Sequence, residues 1–207
     1  MDKSDKLKKN SQEYFDSVAN SDYTIPEPTR CYSVVMERLQ DRTDLESIAD
    51  VGCGTGDMLE MIAAKFGEEI KLYGLDLSGN ALKQAEEKLA GRAEFIQGDV
   101  ENLPMEDQKV QIVLNMHSFH HYPNPDKALA EIYRIIAKGG EYWLVENEYK
   151  PFRRFIANLR LTLNRHREGD VKMYAREELL TMIKNAGFAV ESAEAIADHS
   201  NLIICRK

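Results

Sequence analysis

Three glycines and two aspartates are the residues whose type and spacing point most directly to chemistry. Gly52, Gly54 and Gly56 alternate in "IADVGCGTGD", immediately after a short apolar run that starts at Ile48. In a strand-to-helix turn, glycine permits positive φ and lets main-chain N–H groups approach a ligand with no Cβ in the way. Asp76 ends the next apolar run in "LYGLDLS", 20 residues after Gly56. A carboxylate there can accept both hydroxyl hydrogens of an adenosine ribose. Asp99 follows a third run in "FIQGDVENLP", placed to accept from an adenine amino group while Val100 packs on the ring. Taken singly, the glycines could be only a tight turn, and each aspartate a helix cap or solvated turn residue. Two aspartates at successive strand ends beside one glycine turn point instead to an adenosine-containing ligand.

Spacing narrows that ligand further. A nicotinamide-dinucleotide fingerprint requires G-x-G-x-x-G, with the pyrophosphate on the helix N-terminus. Here the last position is Asp57, whose charge opposes a pyrophosphate, and no lysine follows as in a P-loop. An adenosine without a phosphate fits better.

The elements that must position these residues follow from periodicity. Strands are predicted at Ile48–Val51, Ile70–Leu75, Ala93–Gln97, Val110–Asn115, Glu141–Glu146, Phe188–Ala195 and Asn201–Cys205. In "SGNALKQAEEKLAG", Ser78 reads as an N-cap, Leu82, Ala85 and Leu89 share a face, and Gly91 is a stop. In "NPDKALAEIYRIIAKGG", Asn124 caps, Pro125 opens the first turn, Leu129, Ile132 and Ile136 face inward, and Gly139-Gly140 ends the helix. Such alternation implies a parallel sheet covered by helices on both faces. The last two strands are too close for a crossover helix and should pair antiparallel. Ahead of the sheet, Leu7, Tyr14, Phe15 and Val18 form one helical stripe, and a second helix is expected from Thr29 to Leu39 after Pro26 and Pro28. Residues 1–42 thus form an N-terminal helical cap on one domain spanning 1–207.

Composition bounds the rest. At 207 residues with 43% hydrophobic content, the chain can bury a core without disulfides or metals. Cys31, Cys53 and Cys205 lack metal-ligand spacing and read as reduced thiols. No apolar run is long enough to span a membrane, and no secretory signal is evident, so a cytoplasmic protein is expected. The net charge of -8 opposes non-specific binding to nucleic acid or anionic membranes.

With these motifs in place, the chain resembles the class I S-adenosylmethionine-dependent methyltransferases, closely over Ile48 to Glu146 and in outline beyond. "DVGCGTGD" is similar to the family's first motif, "YGLDLS" to its ribose-binding motif, and "QGDVENLPMED" to its adenine-binding motif. "VLNMHSFHHYPNPDKALAEIYRIIAKGGEYWLVE" corresponds to the fourth strand, following helix and fifth strand. The resemblance implies a Rossmann-like seven-stranded sheet of order 3-2-1-4-5-7-6 with strand 7 antiparallel, and S-adenosylmethionine as cofactor. It implies that Asp50 and the main chain of Gly52, Cys53, Gly54 and Gly56 hold the methionine moiety. Asp76 with Leu77 would hold the ribose, and Asp99 with Val100 the adenine. Asn115 would lie under the methionyl group, and Tyr14 and Tyr23 would close over the cofactor, ordinary cap packing being the other reading of these two aromatics.

Methyl transfer needs chiefly in-line placement, with a base only where the acceptor must lose a proton. After the fourth strand, "NMHS" lacks the Asn/Asp-Pro-Pro-aromatic motif of enzymes that methylate DNA bases or glutamine amides. A small-molecule acceptor, attacked through oxygen, nitrogen or activated carbon, is therefore expected, and nucleic acid is disfavoured. His117 and His120 are the candidate bases, since imidazole titrates near neutral pH, while His121 reads as a lining or supporting residue. A metal site from these histidines would need further ligands, and no supporting spacing is evident, so none is expected. From 148 to 173, Phe152, Phe155, Ile156, Leu159 and Leu163 share a face among Lys150, Arg153, Arg154, Arg160, Arg165, Arg167 and Lys172. This segment sits where the family places a substrate lid. Its plainest reading is an amphipathic helix packed on the sheet, and its sharper one a basic face that attracts an anionic or lipid-linked acceptor. Two other functions stay open: a non-catalytic domain that binds S-adenosylmethionine or its product, and a nicotinamide-dependent oxidoreductase.

Overall fold

A computed structural model of the chain describes residues 3–19, 30–163 and 169–207. Its centre is β1 (Ser47–Val51), buried at every position, as a strand covered on both faces must be. Around it lie β2 (Lys71–Asp76), β3 (Glu94–Gln97), β4 (Val110–Met116), β5 (Ile136–Asn147), β6 (Ala189–Ile196) and β7 (Ser200–Arg206). The sheet order is β3-β2-β1-β4-β5-β7-β6. β1 pairs parallel with both β2 and β4, whereas β7 runs antiparallel to β5 and β6. The order of the strands reverses between β1 and β4, and a crevice at their carboxyl ends is where such sheets bind ligands.

Alternation along the strands feeds two cores. Val113, Tyr142 and Leu144 point to one face and meet Leu129 and Ile132 of α5 (Pro125–Ile135) and Leu179 and Ile183 of α7 (Arg176–Asn185). Ile112, Leu114, Trp143 and Val145 point to the other. There they meet α2 (Arg30–Leu39), α3 (Asp57–Phe66) and α4 (Gly79–Leu89). Ser78 caps α4, accepting from the Ala81 N–H. α1 (Lys3–Ala19) lies over the crevice and is tied to α4 through Asp16, which accepts from Ser78 Oγ at 2.5 Å and Asn80 N at 3.3 Å. Among the described residues no helix is long and apolar enough to cross a membrane.

Four local expectations are corrected. α4 turns at Ala90, which already takes a left-handed conformation, one residue before Gly91. Asn124 makes no side-chain cap; its amide donates instead to Glu101 and Ser4 Oγ. Gly139-Gly140 does not end α5, because β5 begins at Ile136 and the pair sits inside the strand, near an irregularity in its pairing with β4. A Cβ on Gly140 would fall 2.5 Å from the Gln111 carbonyl oxygen, so this glycine serves close strand approach. Finally, α6 (Pro151–Thr162) buries none of its residues, and Phe152, Phe155, Leu159 and Leu163 are exposed. The helix is held by Asn158, which exchanges hydrogen bonds with the Met173 main chain, rather than by packing its apolar stripe on the sheet.

The three motif glycines all have positive φ, but for different reasons. At Gly52 a Cβ would lie 2.3 Å from Ser118 Oγ, and at Gly56 it would lie 3.0 Å from the Ala85 Cβ of α4. At Gly54 it would meet nothing within 4 Å. Gly56→Ala therefore combines left-handed strain with crowding between α3 and α4. A loss of about 1–3 kcal/mol is expected, read as a lower urea midpoint with unchanged m-value.

Candidate active site

At the carboxyl ends of β1, β2 and β4 the structure opens a cavity of about 310 Å³. The glycine turn forms its floor. Gly52 N and Cys53 N donate to the Leu75 carbonyl at 2.7 and 3.1 Å, fastening the turn to β2. Asp76 completes the attachment: Oδ2 accepts from Gly54 N and Oδ1 from Ser78 N, both at 2.8 Å. Each oxygen keeps a lone pair for a further donor, so the carboxylate can hold the turn and a diol together. Burial pushes the Asp76 carboxyl up, while the N–H groups of Ser78, Gly54 and Leu77 pull it down; the net direction is up.

Asp99 and Val100 also line the cavity, as do Leu77 and Cys53. Asp99 Oδ1 accepts from Glu101 N at 2.9 Å, and its Oδ2 receives Lys8 Nζ at 2.7 Å. Lys8 bridges on to Glu101 at 2.6 Å and so draws α1 down as a roof. Burial alone would lower the Lys8 pKa, but the Asp99 and Glu101 carboxylates outweigh it and the pKa is raised. Phe15, one residue beyond the expected Tyr14, is the α1 aromatic on the wall; Tyr14 packs edge-on against Phe15 at 5.2 Å and is not on the wall. Tyr23 lies outside the described residues.

Four other expected residues stand behind the wall. Gly56 packs on α4, as above. Asn115 is fully buried, its Nδ2 within 2.7 Å of Val51 O, Ser118 Oγ and Tyr122 OH, three partners for two hydrogens. This network joins the ends of β1 and β4 and fills the space that Gly52 leaves. His120 is buried away from the wall, its Nδ1 held by both Glu146 oxygens at 3.0 and 3.1 Å. His117 does reach the cavity, at φ +53, with Nε2 3.3 Å from Cys31 Sγ. A side chain held at positive φ is strained, and strain of this kind concentrates at functional sites. His121 lines the cavity as expected, stacked edge-on against Phe15. Lys8, Glu146 and Asp170 escaped the sequence reading because nothing local marks them; only the tertiary fold brings them here.

Asp50 is the fourth residue behind the wall, and its Oδ1 has no hydrogen-bond partner. Burial first, then the Asp76 and Asp57 carboxylates, push its carboxyl up to about 8. In the unfolded chain an aspartate titrates near 4.

Comparisons with known proteins bear on the family and the fold. Residues 48–140 match the family model described as a methyltransferase domain. A ubiquinone/menaquinone biosynthesis C-methyltransferase of Campylobacter jejuni (strain 81-176) is 30% identical over 166 residues, covering 69% of this chain and 70% of that protein. A demethylmenaquinone methyltransferase of Lactococcus lactis is 35% identical over 118 residues, covering 55% and 46%. The chain spans about half the length of most curated relatives it matches. Among solved structures, a SAM-dependent methyltransferase from Aquifex aeolicus aligns with TM-score 0.67 at 18% identity over 100% and 99% of the two chains. The [4+2]-cyclase SpnF aligns with TM-score 0.74 at 20% identity over 97% and 96%. The last two share the fold, and the cyclase shows that the fold alone does not dictate the reaction.

The buried Asp50 carboxyl yields a pH signature. The folded protein retains a proton that the unfolded chain has lost, so this residue's contribution to stability falls as pH rises from about 4 and levels off above about 8, with a limiting slope of about 1.4 kcal/mol per pH unit. Asp50→Asn should flatten the decline in urea midpoint between about pH 5 and 8. Superimposable wild-type and variant profiles would contradict a neutral buried carboxyl.

Proposed function

Because the chain belongs to the class I S-adenosylmethionine-dependent methyltransferases, we propose that it binds S-adenosylmethionine in the cavity and methylates a small lipophilic acceptor of the quinol or phenol kind. The observation that carries the cofactor assignment is Gly54. Its missing Cβ leaves open space over the turn, directly beside a carboxylate suited to a diol. Asp76 and Leu77 would receive the ribose, Asp99 and Val100 the adenine, and the Gly52–Gly54 main chain the methionyl group. When bound, the cofactor supplies an electrophilic methyl on a sulfonium. The chain's own task is to aim an acceptor at that methyl and keep water out.

Two features support a lipophilic acceptor. Curated relatives are named for ubiquinone, menaquinone and phthiotriol dimycocerosate methylation. In this chain, the exposed apolar stripe of α6 lies among Lys150, Arg153, Arg154 and Arg160, with no acidic residue between 149 and 163. A second hollow, lined by Asn158, Thr162 and Tyr174, shares Pro123 with the main cavity. We read α6 and the segment after it, residues 148–173, as the acceptor-side element of one methyltransferase domain. His117 is the candidate base for an acceptor hydroxyl, being the member of the predicted pair that reaches the wall.

The test is formation of S-adenosylhomocysteine across a panel of quinols, phenols, thiols and amines. Turnover with quinols or phenols is expected; cofactor binding without turnover on any acceptor would favour the binding-only alternative. Reversing charge with Arg153→Glu and Arg154→Glu should raise the KM for the accepted quinol or phenol severalfold while cofactor affinity holds. An unchanged KM would remove α6 from acceptor recognition.

A further inference from the structure

The proposed reaction leaves one cluster unused. His120 and His121 occupy the short 3-10 turn after β4, and Asp170 reaches the same point from the segment that follows α6. One ligand atom from each, Nε2 or Nδ1 of the imidazoles and a carboxylate oxygen, lies within 4.8 Å of the others. Asp170 Oδ1 is 3.3 Å from His121 Nδ1 and 3.7 Å from His120 Nε2. Metal–ligand bonds of about 2.0–2.1 Å place tetrahedral ligands roughly 3.3 Å apart, so the two Asp170 separations are close to the edges of such a site.

The surroundings fit the same purpose. Glu146, buried at the end of β5, accepts from Phe119 N at 3.0 Å and holds His120 Nδ1 with both oxygens. A carboxylate gripping Nδ1 fixes the proton there and turns the Nε2 lone pair toward Asp170, the arrangement that orients metal-bound histidine in many sites. His121 Nδ1 is buried and makes no hydrogen bond, although a carboxylate oxygen stands 3.3 Å away. With the neutral ring's proton on Nε2, the Nδ1 lone pair would face this carboxylate, an arrangement that a cation between them relieves. The backbone makes the cluster rigid: Val171 N and Lys172 N both donate to the His120 carbonyl, at 2.8 and 3.2 Å.

We propose that His120 Nε2, His121 Nδ1 and an Asp170 carboxylate oxygen form a binding site for one divalent transition-metal cation of the Zn²⁺ class, with Glu146 as the positioning residue behind His120. Among the described residues the site draws on two imidazoles and one carboxylate, three protein ligands as in catalytic rather than purely structural zinc sites. His121 also lines the cofactor cavity, so the site adjoins the place where an acceptor would sit. Its role there, lowering the pKa of an acceptor hydroxyl as a Lewis acid, rests on the methyl-transfer reading; binding of the cation itself does not.

The experiment is calorimetric titration of chelator-treated full-length protein with ZnCl₂, alongside Co²⁺ titration followed by visible absorption. The same samples are titrated with S-adenosylmethionine, so that failure of the metal site and failure of the cofactor reading are separated. One equivalent of Zn²⁺ is expected, with ligand-field bands from Co²⁺ and movement of one ring nitrogen signal each from His120 and His121 in ¹⁵N NMR of the wild type. Asp170→Asn, nearly isosteric, should abolish stoichiometric binding, and Glu146→Gln should weaken it roughly 10- to 100-fold. No Zn²⁺ or Co²⁺ binding by the wild type would overturn the site. So would undiminished binding by folded Asp170→Asn, or ring nitrogen shifts confined to other histidines.

Discussion

The architecture depends on one turn that must reverse direction between a buried strand and a helix while leaving room above it. Three residues in five adopt positive φ there, and the main chain of that turn is pinned to the neighbouring strand by Leu75 and Asp76. The constraint is shared out. Gly52 yields space to Ser118, Gly56 yields space to α4, and Gly54 yields space to solvent or ligand. A stretch of bare backbone is thus fixed by packing on either side of it, and the open position is the one in the middle.

The end of β4 is organised around the same turn. Asn115, Ser118 and Tyr122 converge on the Val51 carbonyl and so weld the β4 loop to the β1 turn. That weld carries His117 to the cavity in a strained conformation and sends His120 inward to Glu146. Two histidines three residues apart therefore have opposite fates. Opposite them, α1 is drawn down by Lys8 and Asp16, each pairing with a residue of the loops that follow β2 and β3. The walls of the cavity are built by long-range polar contacts on a scaffold set by apolar alternation.

That division explains what was legible in the sequence. The antiparallel final pair, the glycine turn and the aspartates at 76 and 99 follow from local pattern and from short spacing, whereas the strand order is what the family resemblance implies. The resemblance points to Tyr14 rather than Phe15, but adjacent aromatics on a helix differ by about 100° in direction, and the sequence does not set which faces inward. Gly139-Gly140 looked like a helix stop because the approach of Gln111 that requires a glycine comes from another strand. The α6 stripe looked like a core face because periodicity reports amphipathicity, not what covers it. Lys8, Glu146 and Asp170 had no local signature at all; each acquires its role from a partner distant in sequence.

The central claim is that the bare backbone at Gly54 is a cofactor surface. Calorimetric titration of S-adenosylmethionine into wild-type protein and Gly54→Ala tests it most directly, because the added Cβ meets no protein atom within 4 Å. The account predicts saturable binding at one site in the wild type and at least about tenfold weaker binding in the variant, the equivalent of about 1.4 kcal/mol. Equal affinity in the two proteins, or no binding to the wild type, would contradict it.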